Sequence, residues 1–502
     1  MQKKHIPVIV GISQYTQPKD AACPLDPLGL MARTGREAFE EAGGGNLLRQ
    51  CDTIRVINLV SYPYADACGE LGRTLGINPG KTVYGGIGGN SPQMFVNQAA
   101  AEIAAGNSRV TLIAGAEAAA SVRRFQKSNT APDWPAGGIP QRIDTDNREG
   151  FSPLESRHNF LIPAFAYAML ENALRHALGR DLEDHRLAMG RLFERFARAA
   201  SRNPRAWVRE AYTADAITLT GPDNRMVCFP YTMRMIANYF VDQSAAIVMT
   251  SEETADEIGI HPSRRIYPMG GAGLCNIWNM SRRADLTDSP ALREAIWLAL
   301  DQAGIRTEDI DFFDLYSCFP SAVEIACREL GIPENDPRDL TVTGGLPYFG
   351  GPGNNYSLHA IAGVVERLRA NPGQKALVTA LGWYNTKWAV GIYGSLPGAH
   401  PWEESDYSAI QERIDAEALP EPLEAAEGNL CIETYVIGHG RAGEPDHGIV
   451  LGRLENGRRA FARIDAAPRI LEEMEKTELI GLSGRVRHDG DSGYNYVTIE
   501  GF

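Results

Sequence analysis

Tyr84–Gly106, YGGIGGNSPQMFVNQAAAEIAAG, is the stretch whose reading decides the fold. Glycines at 85, 86, 88 and 89 lead into Asn90-Ser91-Pro92. Glycine lets a backbone turn sharply and approach a ligand or another segment closely. Asn or Ser followed by Pro marks a helix start, because proline at the first helical position gives up no needed donor. The helix that follows carries Ala99, Ala100, Ala101, Ala104 and Ala105, a composition suited to close packing on both sides. Val110–Ala114 then reads as a buried strand. A glycine loop ending at a helix N-terminus points free N–H groups at whatever sits there, so one reading is an anion or oxyanion site. The other is a glycine hinge that serves only tight helix packing.

Working outward, Val8–Ile12 reads as a strand, Asp26-Pro27 opens a helix stopped by Gly43–Gly45, and Ile54–Val60 reads as the next strand. Strand alternating with helix predicts an α/β fold with a sheet covered on both faces. The layout then repeats. Ser289-Pro290 opens a helix stopped at Gly304, and Ile310–Tyr316 mirrors Ile54–Val60. A second glycine loop, Gly344–Asn355 (GGLPYFGGPGNN), enters a helix over Tyr356–Leu368 and then a strand over Ala376–Leu381. With the two halves packed together, the paired loops are expected to face one shared pocket.

Residues 120–235 break the alternation and hold two helical patterns, Ala164–Leu178 and Leu187–Ala200. They read as an insertion carried by the first half. Arg123, Arg124 and Lys127 form one basic cluster; Arg198, Arg202, Arg205 and Arg209 form another. Such arginines hold phosphates, or else line a solvated face paired with acids. Val241–Thr250 returns to a buried strand. Residues 406–427 are acidic and read as a connection, and β alternation over Cys431–Ile464 and Gly481–Ile499 predicts a small barrel-like module.

The chain has 502 residues, enough for several packed units. Apolar content of 44% and charged content of 22% are those of a soluble globular protein. A formal charge of −14 argues against nucleic acid as partner, while local basic clusters still allow an anionic ligand. Eight cysteines without a C-x-x-C pair give no metal site and no disulfide framework, and reduced thiols fit a cytoplasmic location. The N-terminus, MQKKHIPVIVGISQY, mimics a signal peptide, but Pro7 and Gly11 interrupt its apolar run and a first strand is the better reading. No segment approaches the ~18 apolar residues of a membrane span.

Asp26-Pro27-Leu28, Gly88-Gly89, Asn203-Pro204-Arg205-Ala206-Trp207 and Val241-Asp242-Gln243-Ser244-Ala245-Ala246 form an ordered set with Asp314-Leu315-Tyr316-Ser317-Cys318-Phe319 and the Gly344-Gly345…Gly350-Gly351-Pro352 loop. Over about residues 5–400 this set resembles the thiolase superfamily, and within it the sterol-carrier-protein-type thiolases and thiolase-like proteins of the first type. The resemblance implies the duplicated αβαβα thiolase fold. It places an N-terminal half at 1–255 with a loop domain at about 120–235, a C-terminal half at 256–400, and an extra OB-like β domain at 401–502. It implies coenzyme A or acyl-CoA as substrate, no permanently bound cofactor, and acetyl-CoA acetyltransferase-like, Claisen or retro-aldol chemistry. Arg123, Arg124, Arg202 and Arg205 of the loop domain, with Gly350 and Gly351, become its CoA-binding candidates. Thiolases commonly dimerise; with an added tail, monomer and homodimer both stay open.

Departures from the family pattern shape the chemistry. The nucleophile position falls on Asn90 or Ser91 rather than cysteine, and glycine replaces the histidine of Gly-His-Pro. A thiolase needs its thiolate to form an acyl-enzyme. Tyr316 is then a candidate acid, Cys318 a candidate nucleophile or shuttle, Ser91 a nucleophile if a base reaches it, and His359 the candidate base. Tyr348, Tyr356 and Lys387 are further polar candidates. Each also has a plain packing role open to it. The competing function is a non-catalytic acyl-CoA or lipid-binding protein; a third is a scaffold whose β module docks a partner. A nicotinamide site at Gly86-Ile87-Gly88 is set aside, since the loop comes too late in the chain and Pro92 follows.

Overall fold

The apolar run near the N-terminus becomes strand β1 (Pro7–Thr16), whose first six residues are buried. The computed structural model describes residues 5–403 and 406–502, so residues 1–4 of the basic N-terminal stretch lie outside it. β1 joins β2 (Thr53–Val56), β3 (Lys81–Tyr84), β4 (Val110–Ala118) and β7 (Asp242–Ser251) in a sheet of order β1-β7-β4-β2-β3. β7 runs antiparallel to both neighbours, whereas β2 is parallel to β3 and β4. In the second half, β8 (Tyr267–Cys275), β9 (Phe312–Asp314), β10 (Lys375–Gly382) and β11 (Lys387–Gly394) take the order β8-β11-β10-β9. Position for position this is the first sheet without β3. In that place Asp339 and Leu340 offer their carbonyls to the N–H groups of Phe313 and Leu315. The repeat read from the sequence is a repeat of topology.

Helices Ser91–Ala104 and Tyr356–Ala370 lie between the sheets and pack on strands of both and on each other. This explains the alanines: Phe95, Val96, Ala99 and Ala100 are fully buried, as a helix covered on both sides requires. Helices Pro27–Glu41 and Pro290–Ala303 cover the outer faces, capped by Asp26 and Ser289 with proline in the first turn. The result is five layers, helix–sheet–helix–sheet–helix.

The tail forms β12 (Gly428–His439), β13 (Pro445–Leu454), β14 (Arg459–Ile464), β15 (Ser483–Asp489) and β16 (Tyr494–Ile499), and β12 pairs with both β13 and β15 to close a five-stranded barrel. Two strands of the insertion, β5 (Met226–Phe229) and β6 (Tyr231–Thr232), extend the same sheet, with Ile437 opposite Phe229 and Gly438 opposite Cys228. Successive side chains of a strand point to opposite faces. Accordingly Tyr435, Ile437, Val450 and Ala462 fill the barrel, while Val436, Ile449, Leu451 and Phe461 belong to the main core. Insertion and tail therefore share one sheet and one apolar interface. Asn172 Nδ2 donates to Tyr435 O across it at 3.0 Å.

The insertion helices Pro163–Ala177 and Leu182–Arg202 meet the second-half helix Pro320–Leu330 through Glu171, His185 and Glu324, all buried. His185 Nε2 lies 2.7 Å from Glu171 Oε1, whose other oxygen accepts from Tyr231 OH at 2.6 Å. One potential ligand atom from each of the three residues falls within 4.8 Å of the others. No metal site was expected from the sequence; these three buried side chains are placed as a cluster that could hold an ion, with His185 and Glu171 hydrogen-bonded and Glu324 beside them. Among the described residues no helix is long and apolar enough to cross a membrane.

Candidate active site

The two glycine loops meet. Gly88 N–H donates to Asn354 Oδ1 at 2.8 Å, and Ser357 Oγ donates to Gly89 O at 3.2 Å. Gly89 lies against Tyr316, where a Cβ would come within 2.1 Å of the phenol oxygen. No other residue type fits there without moving the ring. Asn90 Oδ1 is buried with no hydrogen-bond partner, pressed between Gly88 and Gly382. Ser91 Oγ donates back to Gly86 O at 3.3 Å. Its hydroxyl closes its own loop, and among the described residues no histidine or carboxylate bonds to it.

Beside this loop stands Lys387, the first residue of β11. Its side chain is buried, and its ammonium donates to Ile87 O and, at 3.2 Å, to Asp146 O. Burial lowers its pKa, with Asp146 pulling the other way. Asn90, Ser91 and Lys387 line one cavity of about 410 Å³.

The second loop behaves differently. Gly344 and Gly345, both at positive φ, pack on Ala200 and Phe196 of the insertion. Gly350, at φ +124°, faces Gln243 Oε1, and Gly351 N–H donates to Asn238 O at 2.9 Å. Neither Gly350 nor Gly351 lines the cavity at Asn90, and neither do Tyr316, Cys318 or His359. Of the two loops only the first lines this cavity, while the second half contributes Gly271–Cys275 and Lys387; the loops themselves share a contact.

His359 Nδ1 pairs with Gln14 Oε1 at 3.1 Å, and its ring packs on Phe349 with centroids 5.1 Å apart. Burial, helped by Arg205, pushes its pKa down to about 3. It bonds to none of Ser91, Tyr316 and Cys318 among the described residues, so the condition set for Ser91, a base within reach, is not met by His359 here. Cys318 is buried, and burial pushes its thiol up to about 12. Tyr316 is likewise held protonated by burial, with Cys318 adding to the shift.

The arginines are largely committed. Arg205 forms a double ion pair with Glu366 at 2.8 and 3.0 Å. Arg124 donates to Ala21 O at 2.9 Å, Arg123 stacks on Phe240, and Arg202 is exposed. Charge clustering in a sequence does not reveal which arginines already have a partner.

Two acids escaped the sequence reading. Asp314 accepts the N–H groups of Val342 and Thr343 and the Tyr356 hydroxyl, fixing the start of the second loop. Glu117, at the end of β4, accepts from Val60 and Ser61 N–H, and a Cβ on Gly353 would come within 2.3 Å of it. Burial raises Glu117 to about 7 against these hydrogen bonds. The available signal was one acid inside a fully buried strand.

Residues 409–491 match the family model of the thiolase-like protein type 1 additional C-terminal domain. A monomeric SCP2-thiolase-like protein type 1 (STLP1) from Mycobacterium smegmatis is similar in structure with a TM-score of 0.85 and in sequence at 32% identity, covering 99% of this chain and 100% of that one. This chain belongs to the SCP2-thiolase-like proteins of type 1. An Ltp2-ChsH2(DUF35) aldolase aligns with a TM-score of 0.60 at 19% identity, over 78% of this chain and 98% of that one, and so shares the fold alone. The 3-oxoadipyl-CoA/3-oxo-5,6-dehydrosuberyl-CoA thiolase of Escherichia coli K12 is 32% identical over 139 residues, 28% of this chain and 32% of the thiolase. The chain thus matches about a third of that relative's length.

In this type 1 protein, alkylation at mildly alkaline pH is expected to label the exposed Cys23 and Cys431 and to spare Cys318. Peptide mapping after iodoacetamide treatment checks this; fast labelling of Cys318 would restore it as a nucleophile.

Proposed function

We propose that this type 1 protein acts on acyl-CoA thioesters and makes or breaks a carbon–carbon bond next to the thioester carbonyl, without an acyl-enzyme. The observation that carries the reading is the buried Lys387 ammonium at the cavity end formed by Asn90 and Ser91, with no activated nucleophile around it. A cation and a helix N-terminus held beside a carbonyl stabilise the negative charge that develops on its oxygen as an enolate. Such charge appears when a 3-hydroxyacyl thioester splits by retro-aldol reaction, or when its reverse forms the bond. Asn90 Oδ1, lacking a donor, suits a substrate hydroxyl. Tyr316, held protonated at the loop junction but outside this cavity, supports the loop, and the proton lost by the substrate hydroxyl reaches the enolate carbon through water. The E. coli relative's activity on CoA esters supports the substrate class.

Intact-mass analysis during incubation with acyl-CoA thioesters tests the reading. Turnover with no covalent adduct is expected. An acyl adduct on Ser91 or Cys318 overturns it in favour of acyl transfer. Thermal protection by CoA without turnover of any thioester would favour the non-catalytic binding protein, whose motivation is the inert state of Cys318 and His359.

A further inference from the structure

β8 is the edge strand of the second sheet, paired with β11 on one side only. On its free side, Gly271 N–H is met by Gln302 Oε1 at 2.9 Å. Four residues on, Gln411 takes both backbone groups of Cys275, each at 2.8 Å. In an antiparallel strand the groups of every second residue point the same way. Gly273, midway between these two capped residues, therefore directs its N–H and C=O to the same free side. It is exposed among buried neighbours, and no backbone or side-chain group among the described residues pairs with it there.

This gap opens into the Lys387 cavity. The same cavity is lined by Met94 and Ala101 of the Ser91–Ala104 helix and by Trp402 and Tyr407. Lys387 stands opposite Cys275 in register, so Gly273 lies two residues, or about 7 Å, along the strand from the lysine. An unpaired strand edge recognises an extended chain that carries amides. The pantetheine arm of coenzyme A is such a chain, with its nearer amide three bonds from the thioester sulfur.

We propose that the pantetheine arm lies along the Gly271–Cys275 edge, its amide paired with Gly273 and its thioester carbonyl turned to Lys387. The inference rests on the acyl-CoA reading above and deepens it. It brings the substrate in along the second sheet rather than past the loop-domain arginines, most of which are already engaged.

The test uses the full chain with the exposed Cys23 and Cys431 replaced by serine. S-acetylpantetheine, acetyl-CoA and 3′,5′-ADP are compared by calorimetry and by protection of Cys275, a half-buried cavity thiol, from methanethiosulfonate at alkaline pH. S-acetylpantetheine and acetyl-CoA are expected to bind and protect Cys275, and 3′,5′-ADP to leave it open. Gly273→Pro removes the N–H and is expected to weaken S-acetylpantetheine about tenfold, the worth of one or two net hydrogen bonds. Met94→Trp, which fills the cavity from the helix side, is expected to do the same and stands in if the proline variant fails to fold. If the thioesters bind while Cys275 stays reactive and the variants bind normally, the edge-strand site is overturned and the acyl-CoA reading survives. If no thioester binds, both fall.

Discussion

Replacing Lys387 with methionine is expected to lower kcat/KM for an acyl-CoA thioester by about 10²–10³-fold, the cost of losing one preorganised donor to a developing oxyanion. Methionine keeps an unbranched stem in the buried channel but removes the charge and the hydrogen bonds to Ile87 O and Asp146 O. Some loss of melting temperature is therefore expected, and assays run well below the variant's melting temperature separate loss of chemistry from loss of fold. The pH profile gives a second readout. Burial favours neutral Lys387 in the folded protein, so its folded pKa lies below the ordinary lysine value. Activity that needs the ammonium should fall as pH rises through that lowered pKa, earlier than an exposed lysine would allow. A methionine variant with unchanged kcat/KM would remove Lys387 from the mechanism.

Replacing Glu171 with alanine is expected to cost about 3–5 kcal/mol, the penalty for breaking a buried ion pair by removing one partner. Burial works to raise the Glu171 pKa, but the hydrogen bond and charge of His185 prevail and hold it low. The alanine leaves His185 and the Tyr231 hydroxyl facing an empty space. Glu324 should respond differently. Burial and the charge of Glu171 push its pKa well up, so it stands as a neutral acid. Glu324→Gln preserves that neutrality and shape, and should change stability by no more than about 1 kcal/mol. Urea unfolding of both variants checks the contrast. Equal losses would mean that the two carboxyls share one role.

Much of the architecture was legible because it is local or repeated. The glycine loops, the helices with proline in the first turn and the apolar strands each follow from a few neighbouring residues. Their recurrence at the same offsets exposed the duplication. What escaped depends on contacts between distant parts of the chain. Nothing in Met226–Phe229 announces a partner two hundred residues later in β12. Asp339 and Leu340 lack the apolar run of a strand, yet occupy a strand's place. At the site, the glycine motif correctly indicated that the loops meet, through Gly88 and Asn354. At Gly350 and Gly351 it did not show that the missing side chains make room for Gln243 and Asn238. Lys387 follows a turn, where a lysine usually faces water, and only the fold shows that its ammonium reaches Ile87 O.

The joint sheet of insertion and tail bears on how this protein can be divided. Its barrel keeps apolar side chains on both strand faces, and one set belongs to the same core as the central helices. A gene boundary drawn near residue 400 would cut a continuous hydrogen-bonded surface, baring the Phe229 edge on one fragment and greasy strand faces on the other. For expression work the insertion and the barrel belong on one chain, since they share a sheet and a core.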